Sequence, residues 1–227
     1  MLITLHVWRV PRRRLGGALR RMATEPRRLR RLPGVRFVKL LGTGTGTGFG
    51  PGDVDLTRWA AVVVWDGEAD PRVGRSWAKI ADGYAQVDLT PLTSRGTWSG
   101  QEPFGTPGGG RTDGMVLALT RARLRPARAA RFWRAIPPVA AELAAAPGLL
   151  ARFGIGEAPV GWQGTVSVWR GAADLNAFAY RQPEHRAVIA RTPGDRWYAE
   201  ELFARFAVRG ISGDPAVLGW TEGGRAQ

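Results

Sequence analysis

Cysteine is absent from this chain of 227 residues, and histidine occurs only twice, at His6 and His185. The missing thiols exclude disulfides, iron–sulfur clusters, zinc fingers and cysteine nucleophiles. Two histidines are also too few for a three-histidine zinc site. No thiolate can therefore bind a metal ion in this protein, and at most two imidazoles can.

Long apolar runs are missing as well. No stretch approaches the roughly 20 apolar residues that a membrane-spanning helix needs. At the N-terminus the apolar segment MLITLHVWRV precedes the basic segment PRRR, which is the reverse of the order in a signal peptide. We therefore expect a cytoplasmic protein. Its 44% hydrophobic content and ten tryptophans are ample for a packed core.

Acidic residues are scarce, with 19 Asp and Glu against 33 Lys and Arg, so the formal net charge is +14. Nine arginines but only one acid, Glu25, lie between Arg12 and Arg31. Such a segment could attract anionic lipid headgroups, an acidic protein or nucleic acid, or it could be a solvated helix face. Zinc-finger, RNP-type and basic-zipper motifs are absent, so we expect no nucleic-acid partner. Peripheral membrane contact through Arg12–Arg31 stays open.

The chain reads as two copies of one unit. Two predicted strands start 114 residues apart, at Met1 and Met115, and each is followed by an arginine-rich amphipathic stretch that ends in Pro-Gly. The segments LGTG at 41–44 and FGIG at 153–156 correspond at an offset of 112. The most similar pair is AVVVWDGEAD at 61–70 and TVSVWRGAAD at 165–174, at an offset of 104. The falling offsets indicate insertions in loops of the first copy.

The order of elements in each copy is β-α-β-β-α-β, which is the ferredoxin-like order. We predict the second helices at Pro71–Ala85 and Ala173–Arg191 and the last strands at Val87–Thr93 and Ala207–Ile211. The predicted fold class is α+β, with residues 1–110 and 111–227 as two fused ferredoxin-like repeats. Together they would form one barrel of the dimeric α+β type with helices outside.

His185 belongs to a helical pattern that presents it on a mostly apolar face. Leu175, Phe178, Gln182 and Ile189 share its spacing of three and four. Pro183 favours a new helix start just before the histidine, where the helix dipole disfavours an imidazolium. A neutral imidazole of this kind suits a haem iron, although a core or surface histidine has the same pattern.

His6 is a second candidate. Alternation along the first strand gives Ile3, Leu5 and Val7 one face and Thr4, His6 and Trp8 the other. We expect the first face to pack against helices and the second to line the barrel interior. His6 would then be a wall or hydrogen-bonding residue of a site inside the barrel.

Several familiar motifs are absent or lack the neighbouring elements that their function requires. GTGTGTGFG at 42–50 has G-x-G-x-x-G spacing, but no helix, later acid or Walker lysine accompanies it. No G-x-S-x-G nucleophile motif is present. The loop SRGTWSGQEPF at 94–104 is a better candidate for binding, because Arg95, Trp98, Ser99 and Phe104 combine charge, aromatic surface and a hydroxyl group. A surface loop anchored by Trp98 is the alternative.

Five blocks follow one another along the chain: RGTWSGQEPF at 95–104, RFWRAIPPV at 131–139, PGLLARFGIGEAP at 147–159, QGTVSVW at 163–169 and FAYRQPEHRAVIARTPGDRWYAEELFARF at 178–206. Through these blocks the chain resembles the spheroidene monooxygenase family of carotenoid-oxygenating enzymes, over nearly its whole length. The arginine-dense first helix and the TGTGTG loop do not match the family.

The resemblance implies a monooxygenase that contains haem b and uses O₂ and electrons from a ferredoxin-type donor. It also implies that a histidine of the C-terminal half binds iron, which points to His185. We expect the porphyrin between the two sheets, with a distal cavity lined by Trp98, Ser99, Gln163 and His6. Arg95 or Arg134 would pair with a haem propionate.

Two alternatives remain open at this stage. The chain could be a haem enzyme of natural-product biosynthesis that acts on a nitrogen or oxime group, without external electrons. It could also be a haem-free basic interaction domain that uses the segment Arg12–Arg31. The sequence allows a monomer or a homodimer.

Overall fold

The computed structural model describes residues 1–45, 51–105, 107, 109–125, 127, 141–157, 162–181 and 198–220. Among these residues, no helix has the length and apolar character needed to cross a bilayer. Eight strands form one closed antiparallel barrel in the order β1-β3-β2-β6-β7-β5-β8-β4. The strands are β1 (Leu2–Arg9), β2 (Val35–Gly44), β3 (Val54–Trp65), β4 (Gly83–Gly96), β5 (Val116–Leu124), β6 (Leu149–Gly156), β7 (Trp162–Trp169) and β8 (Tyr198–Gly213).

Among the described residues, helices α1 (Leu15–Leu29), α2 (Arg75–Ala78) and α3 (Ala172–Arg181) lie outside the barrel. The order β1-α1-β2-β3-α2-β4 confirms the ferredoxin-like prediction for the first copy. In the second copy β5, β6, β7, α3 and β8 follow in the same order, and 141–144 is helical before β6. Each copy contributes four neighbouring strands with its first strand beside its third and fourth. The predicted α+β barrel of two fused repeats is confirmed, and the 110/111 boundary falls between β4 and β5.

The register supports the offsets read from the sequence. Leu2 pairs with Trp65 in the first copy, and Val116 pairs with Trp169 in the second. At one seam between the copies, Gly42 pairs with Gly156 and Gly44 with Gly154, so corresponding glycines exchange places across β2 and β6. The two copies are therefore related by an approximate twofold axis through this seam.

The second seam, between β4 and β8, depends on two glycines. Gly96 and Gly213 end their strands with φ of +93° and +84°. A Cβ at Gly96 would lie 2.1 Å from the Glu201 carbonyl oxygen, and one at Gly213 would lie 2.2 Å from that of Tyr84. Only glycine combines a positive φ with this close approach.

Some predicted bounds were wrong. The helix predicted over 71–85 is a 3-10 turn at Pro71–Val73 and one helical turn at Arg75–Ala78, after which Gly83 begins β4. A strand forms there instead of a longer helix, because Gly83–Leu89 pairs with β1. The last strands are also longer than predicted, since β4 and β8 pair with each other over most of their length.

Three apolar clusters hold the barrel together. One contains buried side chains from all eight strands and therefore fills the interior. The other two lie outside, one under α1 and α2 and one under α3 and 141–146. The interior is closed at one end by Trp98 and Phe104 and at the other by Val217 and Leu218, all at most 3% exposed.

Candidate functional site

The first strand faces opposite to the sequence-based prediction. Ile3, Leu5 and Val7 belong to the interior cluster, whereas Trp8 belongs to the cluster beneath α1 and α2. The His6 ring stacks on Trp8 at 5.7 Å between ring centroids. The prediction that His6 lines the barrel interior is therefore wrong. The broad indole of Trp8 fits the deep layer between sheet and helices, whereas the branched side chains fill the barrel.

Both ring nitrogens of His6 are occupied. Its Nδ1 lies 2.8 Å from the Tyr84 hydroxyl, and its Nε2 lies 2.9 Å from Thr4 Oγ1. Tyr84 donates its own proton to Gln86, so its oxygen accepts from Nδ1–H, and Nε2 accepts from Thr4. Burial lowers the pKa of His6 to about 3. His6 is thus a neutral structural imidazole without a free lone pair for iron.

One end of the barrel carries a cluster of charges that we call the mouth cluster: Lys39, Arg121, Glu157 and Glu200. The Arg121 guanidinium is 3% exposed and donates to both carboxylates. Glu157 also accepts from Lys39 Nζ at 2.7 Å. Two cations and two anions therefore neutralise one another inside a largely apolar barrel, as buried charges require.

The mouth cluster holds the hairpin that closes this end. Glu157 accepts a hydrogen bond of 2.8 Å from Trp98 Nε1, and Glu200 accepts from the Gly100 backbone N–H at 2.7 Å. The Arg121 guanidinium lies 5.7 Å from the Trp98 ring centroid. Ser99 and Gly100 have positive φ between the paired residues Trp98 and Gln101, which is the geometry of a tight hairpin turn.

Both carboxylates of the mouth cluster stay ionised. Burial raises the pKa of Glu157, but hydrogen bonds and charges from Lys39 and Arg121 outweigh it and hold the pKa below the usual range. For Glu200, burial is likewise outweighed by the Gly100 N–H and by Arg121, which lower the pKa to about 2. Neither group can act as a general acid near neutral pH.

Lys39 also donates to Ser99 Oγ at 2.6 Å. This contact resembles a Ser–Lys nucleophile pair, but the lysine is paired with Glu157 as an ammonium ion. An ammonium ion has no lone pair to take the serine proton. The arrangement therefore fastens the hairpin and does not activate Ser99.

Arg95 lies on a different surface. It pairs with Phe203 across the β4–β8 ladder, and its guanidinium lies 5.0 Å from the Phe203 ring centroid. Phe203 pairs in turn with Thr120, and Thr120 with Thr165. This row crosses the outer face of β8, β5 and β7, which we call the second-half outer face. Arg95, with 76% of its side chain exposed, lies at its rim.

The remaining predicted site residues are less defined. Gln163 lies in β7 opposite Gly156 and Ala122, and its side chain is outside the described part of the protein. His185 and Arg134 lie outside the described residues. The structure thus joins Trp98 and Ser99 at the barrel mouth, places Arg95 on the second-half outer face and puts His6 beneath the helices of the first half.

Sequence reasoning missed Lys39, Arg121, Glu157 and Glu200. One signal was available: Arg121 follows Leu117 and Leu119 on the same side of an apolar strand, where a charge must find a partner. Within the described residues, no group of three or more His, Asp and Glu side chains could hold a metal ion.

Curated proteins with similar sequences decide the family. Spheroidene monooxygenase from Rhodobacter capsulatus is 36% identical over 193 residues, covering 80% of this chain and 78% of the relative. Spheroidene monooxygenase from Rubrivivax gelatinosus is 36% identical over 189 residues, covering 80% and 72%. The chain belongs to the spheroidene monooxygenase family. This confirms the resemblance found in the sequence. No family model matches the chain.

Solved structures with similar folds support the architecture of this chain. An aldoxime dehydratase in complex with butyraldoxime matches with a TM-score of 0.59 at 11% identity, covering 91% of this chain and 79% of that one. A second aldoxime dehydratase structure gives a TM-score of 0.57 at 11% identity. At this identity the likeness concerns the fold alone.

Proposed function

We propose that this protein is a monooxygenase that places one oxygen atom of O₂ on a carotenoid-like apolar substrate. The observation that carries the proposal is the 36% identity to spheroidene monooxygenases over 80% of the chain. The reaction consumes O₂, two electrons and two protons, and yields hydroxylated substrate and water. An external reductant is therefore required, and we propose a ferredoxin-type donor.

The proposed cofactor is haem b, with His185 as the axial ligand of the iron. When bound, haem supplies the O₂ and redox chemistry that amino-acid side chains lack. Of the two histidines, His6 is excluded as a ligand by its hydrogen bonds to Thr4 and Tyr84. Haem ligation by histidine in this chain thus depends on His185.

The barrel interior does not fit a porphyrin, contrary to our expectation from the sequence. Apolar side chains from all eight strands occupy it, and its ends are closed by Trp98 and Leu218. Filling of this kind leaves no slot for a flat macrocycle.

The second-half outer face fits better. Its strands β5 and β7 carry the small and partly exposed side chains of Thr120, Ala122 and Thr165, next to the buried Ala118 and Ser167. A sheet surface of this kind can take a flat ring against it. Helix α3 packs on this side of the barrel, and His185 follows its last residue, Arg181, by four positions in the sequence. In this proposal Arg95, which is exposed at the rim, would pair with a propionate.

The test compares the two histidines. Protein produced with ample haem supply should show a Soret band that His185→Ala removes and His6→Thr retains, since only His185 would coordinate iron. Haem ligation by His185 is contradicted if both variants keep the Soret band. It is also contradicted if the wild-type protein shows no band.

Turnover separates the reaction itself from the alternatives. Carotenoid in detergent micelles should be hydroxylated only when O₂ and a reduced ferredoxin are both present. Incorporation of ¹⁸O from ¹⁸O₂ identifies the oxygen source. Substrate conversion that needs neither O₂ nor reductant would instead indicate a dehydratase-type haem enzyme.

The proposal also includes peripheral membrane contact, because carotenoids dissolve in bilayers and not in water.

A further inference from the structure

The outward surface of α1 carries charge that the described carboxylates do not neutralise. Of the nine arginines between Arg12 and Arg31, three are engaged within the fold. Arg14 donates to the Lys79 carbonyl, Arg21 to the Ser76 carbonyl, and Arg28 pairs with Glu25. These contacts fasten α1 to α2 and to its own turns.

The other six arginines are exposed, and none pairs with a carboxylate among the described residues. They are Arg12, Arg13, Arg20, Arg27, Arg30 and Arg31. In α1, Arg20 and Arg27 are separated by seven residues, so they share one side of the helix about 10 Å apart. The exposed arginines that flank α1, at 12–13 and 30–31, extend this positive surface past both helix ends. We call these six residues the arginine face.

An apolar side chain accompanies the arginine face. Leu19, next to Arg20, is 52% exposed, although Ala18 and Leu29 of the same helix are fully buried. Beyond the end of β1, Val10 is hydrogen-bonded to Thr57, and Leu56 beside it is 48% exposed. Basic side chains with exposed leucines among them are typical of surfaces that bind anionic bilayers.

We propose that the arginine face binds the surface of a bilayer that contains anionic phospholipid. Guanidinium groups pair with lipid phosphates in two-point hydrogen bonds, and Leu19 enters the headgroup layer. An acidic protein would satisfy the charges but offers no reason for the exposed leucine. The inference rests on the proposed function, because an enzyme for a bilayer-dissolved substrate has to reach the bilayer.

The experiment uses the purified full chain and sedimentation with vesicles, without substrate or reductant. We expect binding to phosphatidylcholine vesicles with roughly 30 mol% phosphatidylglycerol and little binding to phosphatidylcholine alone. Raising the salt from about 0.05 to about 0.5 M should weaken binding, because ions screen the attraction.

Two triple variants distinguish the effect of the arginine face on vesicle binding from the effect of total net charge. Arg20→Gln, Arg27→Gln and Arg31→Gln together should lower the partition coefficient at least about tenfold, since each basic residue near an anionic surface contributes roughly fivefold. The control is Arg111→Gln, Arg123→Gln and Arg209→Gln, which removes the same charge from exposed positions elsewhere. The control should keep most of the binding. Leu19→Asn alone should weaken it by a few-fold, roughly the effect of losing a half-buried leucine.

Equal losses in the two triple variants would overturn the proposal, because they would show that only total charge matters. Binding to RNA or to an acidic ferredoxin without binding to the anionic vesicles would overturn it as well. Neither result would affect the Soret test of His185, so failure of this inference can be told from failure of the proposed function.

Discussion

The two halves of the barrel have the same ladder but different side chains on their outer faces. In the first half, Trp8 pairs with Trp59, and His6 pairs with Ala61. At the corresponding positions of the second half, Ala122 pairs with Gln163, and Thr120 pairs with Thr165. Only the end of the ladder is alike, with Leu2 and Trp65 corresponding to Val116 and Trp169.

This difference separates a structural layer from a candidate binding surface. Trp8 stacks on Trp77 at 4.9 Å, and Trp59 lies 6.1 Å from Trp77, so indoles fill the layer beneath α1 and α2. The second half keeps the backbone and the indole of Trp169, but it has Ala122 and Gln163 where the first half has Trp8 and Trp59. A duplicated fold can thus stabilise itself with one copy and bind a ligand with the other. Exchanging residues between corresponding positions tests that division.

The largest effect is expected for Trp8→Ala, which gives the first half the residue found at 122. Trp8 is 1% exposed and stacked on both sides, so its removal leaves a cavity. We expect the free energy of unfolding to fall by about 3–5 kcal/mol, measured by urea denaturation. A loss below about 1 kcal/mol would mean that the indole layer is not structural.

Arg121→Val should lower the free energy of unfolding by slightly less, about 3 kcal/mol. This variant also introduces the residue found at the corresponding position of the first copy, Val7. The change leaves Glu157 and Glu200 buried without their guanidinium partner. Urea denaturation gives the loss. Adding Glu200→Gln should restore part of it, since an amide is less costly to bury than an unpaired carboxylate. No recovery in the double variant would indicate that Arg121 acts through packing alone.

Ala122→Trp places the first-half indole on the second-half outer face. If haem binds there, the added ring occupies its space, and we expect the Soret absorbance per protein to fall at least tenfold, equivalent to about 1.4 kcal/mol or more. Far-ultraviolet circular dichroism should stay unchanged, since the site is on the sheet surface. Full retention of haem in a folded variant would place the cofactor elsewhere.

His6→Thr, which copies Thr120, should mainly change the pH dependence of stability. The pKa of His6 is 6.5 when unfolded and about 3 in the folded protein. Between these values the unfolded chain binds a proton that the folded chain does not. Wild-type stability should therefore fall as the pH drops from about 6.5 toward 3, by up to about 1.4 kcal/mol per pH unit.

Threonine at this position does not titrate, so the variant should show a shallower fall. Urea denaturation at several pH values between 7 and 4 measures the slope. Parallel slopes in the wild type and the variant would show that His6 is protonated in the folded protein.

The fold was largely predictable because a repeat leaves its offsets in the sequence. The sequence relates Trp65 to Trp169, and the structure pairs them with the corresponding residues Leu2 and Val116. The alternation of side chains along β1 could not predict which of its faces lines the barrel interior, because both faces are buried. Leu5 and Trp8 are equally apolar, and only closure of the barrel decides which one lies inside.

The candidate site was predictable only in part. The loop with Trp98 and Ser99 stood out through its composition, but the four charges that hold it come from β2, β5, β8 and the residue directly after β6. Lys39 and Glu200 are distant in sequence and carry no local motif. Their meeting depends on the shear of a closed barrel, which sets which strand ends share a mouth.

The amino-acid sequence by itself determined the family, the repeat and the order of the elements along the chain, because these follow from local patterns copied twice. Tertiary structure alone decided which arginines of α1 are engaged within the described fold, which face of β1 is inside and which charges meet at the mouth. Those outcomes depend on how distant strands close into a ring, where packing and charge pairing act between residues that no sequence window contains.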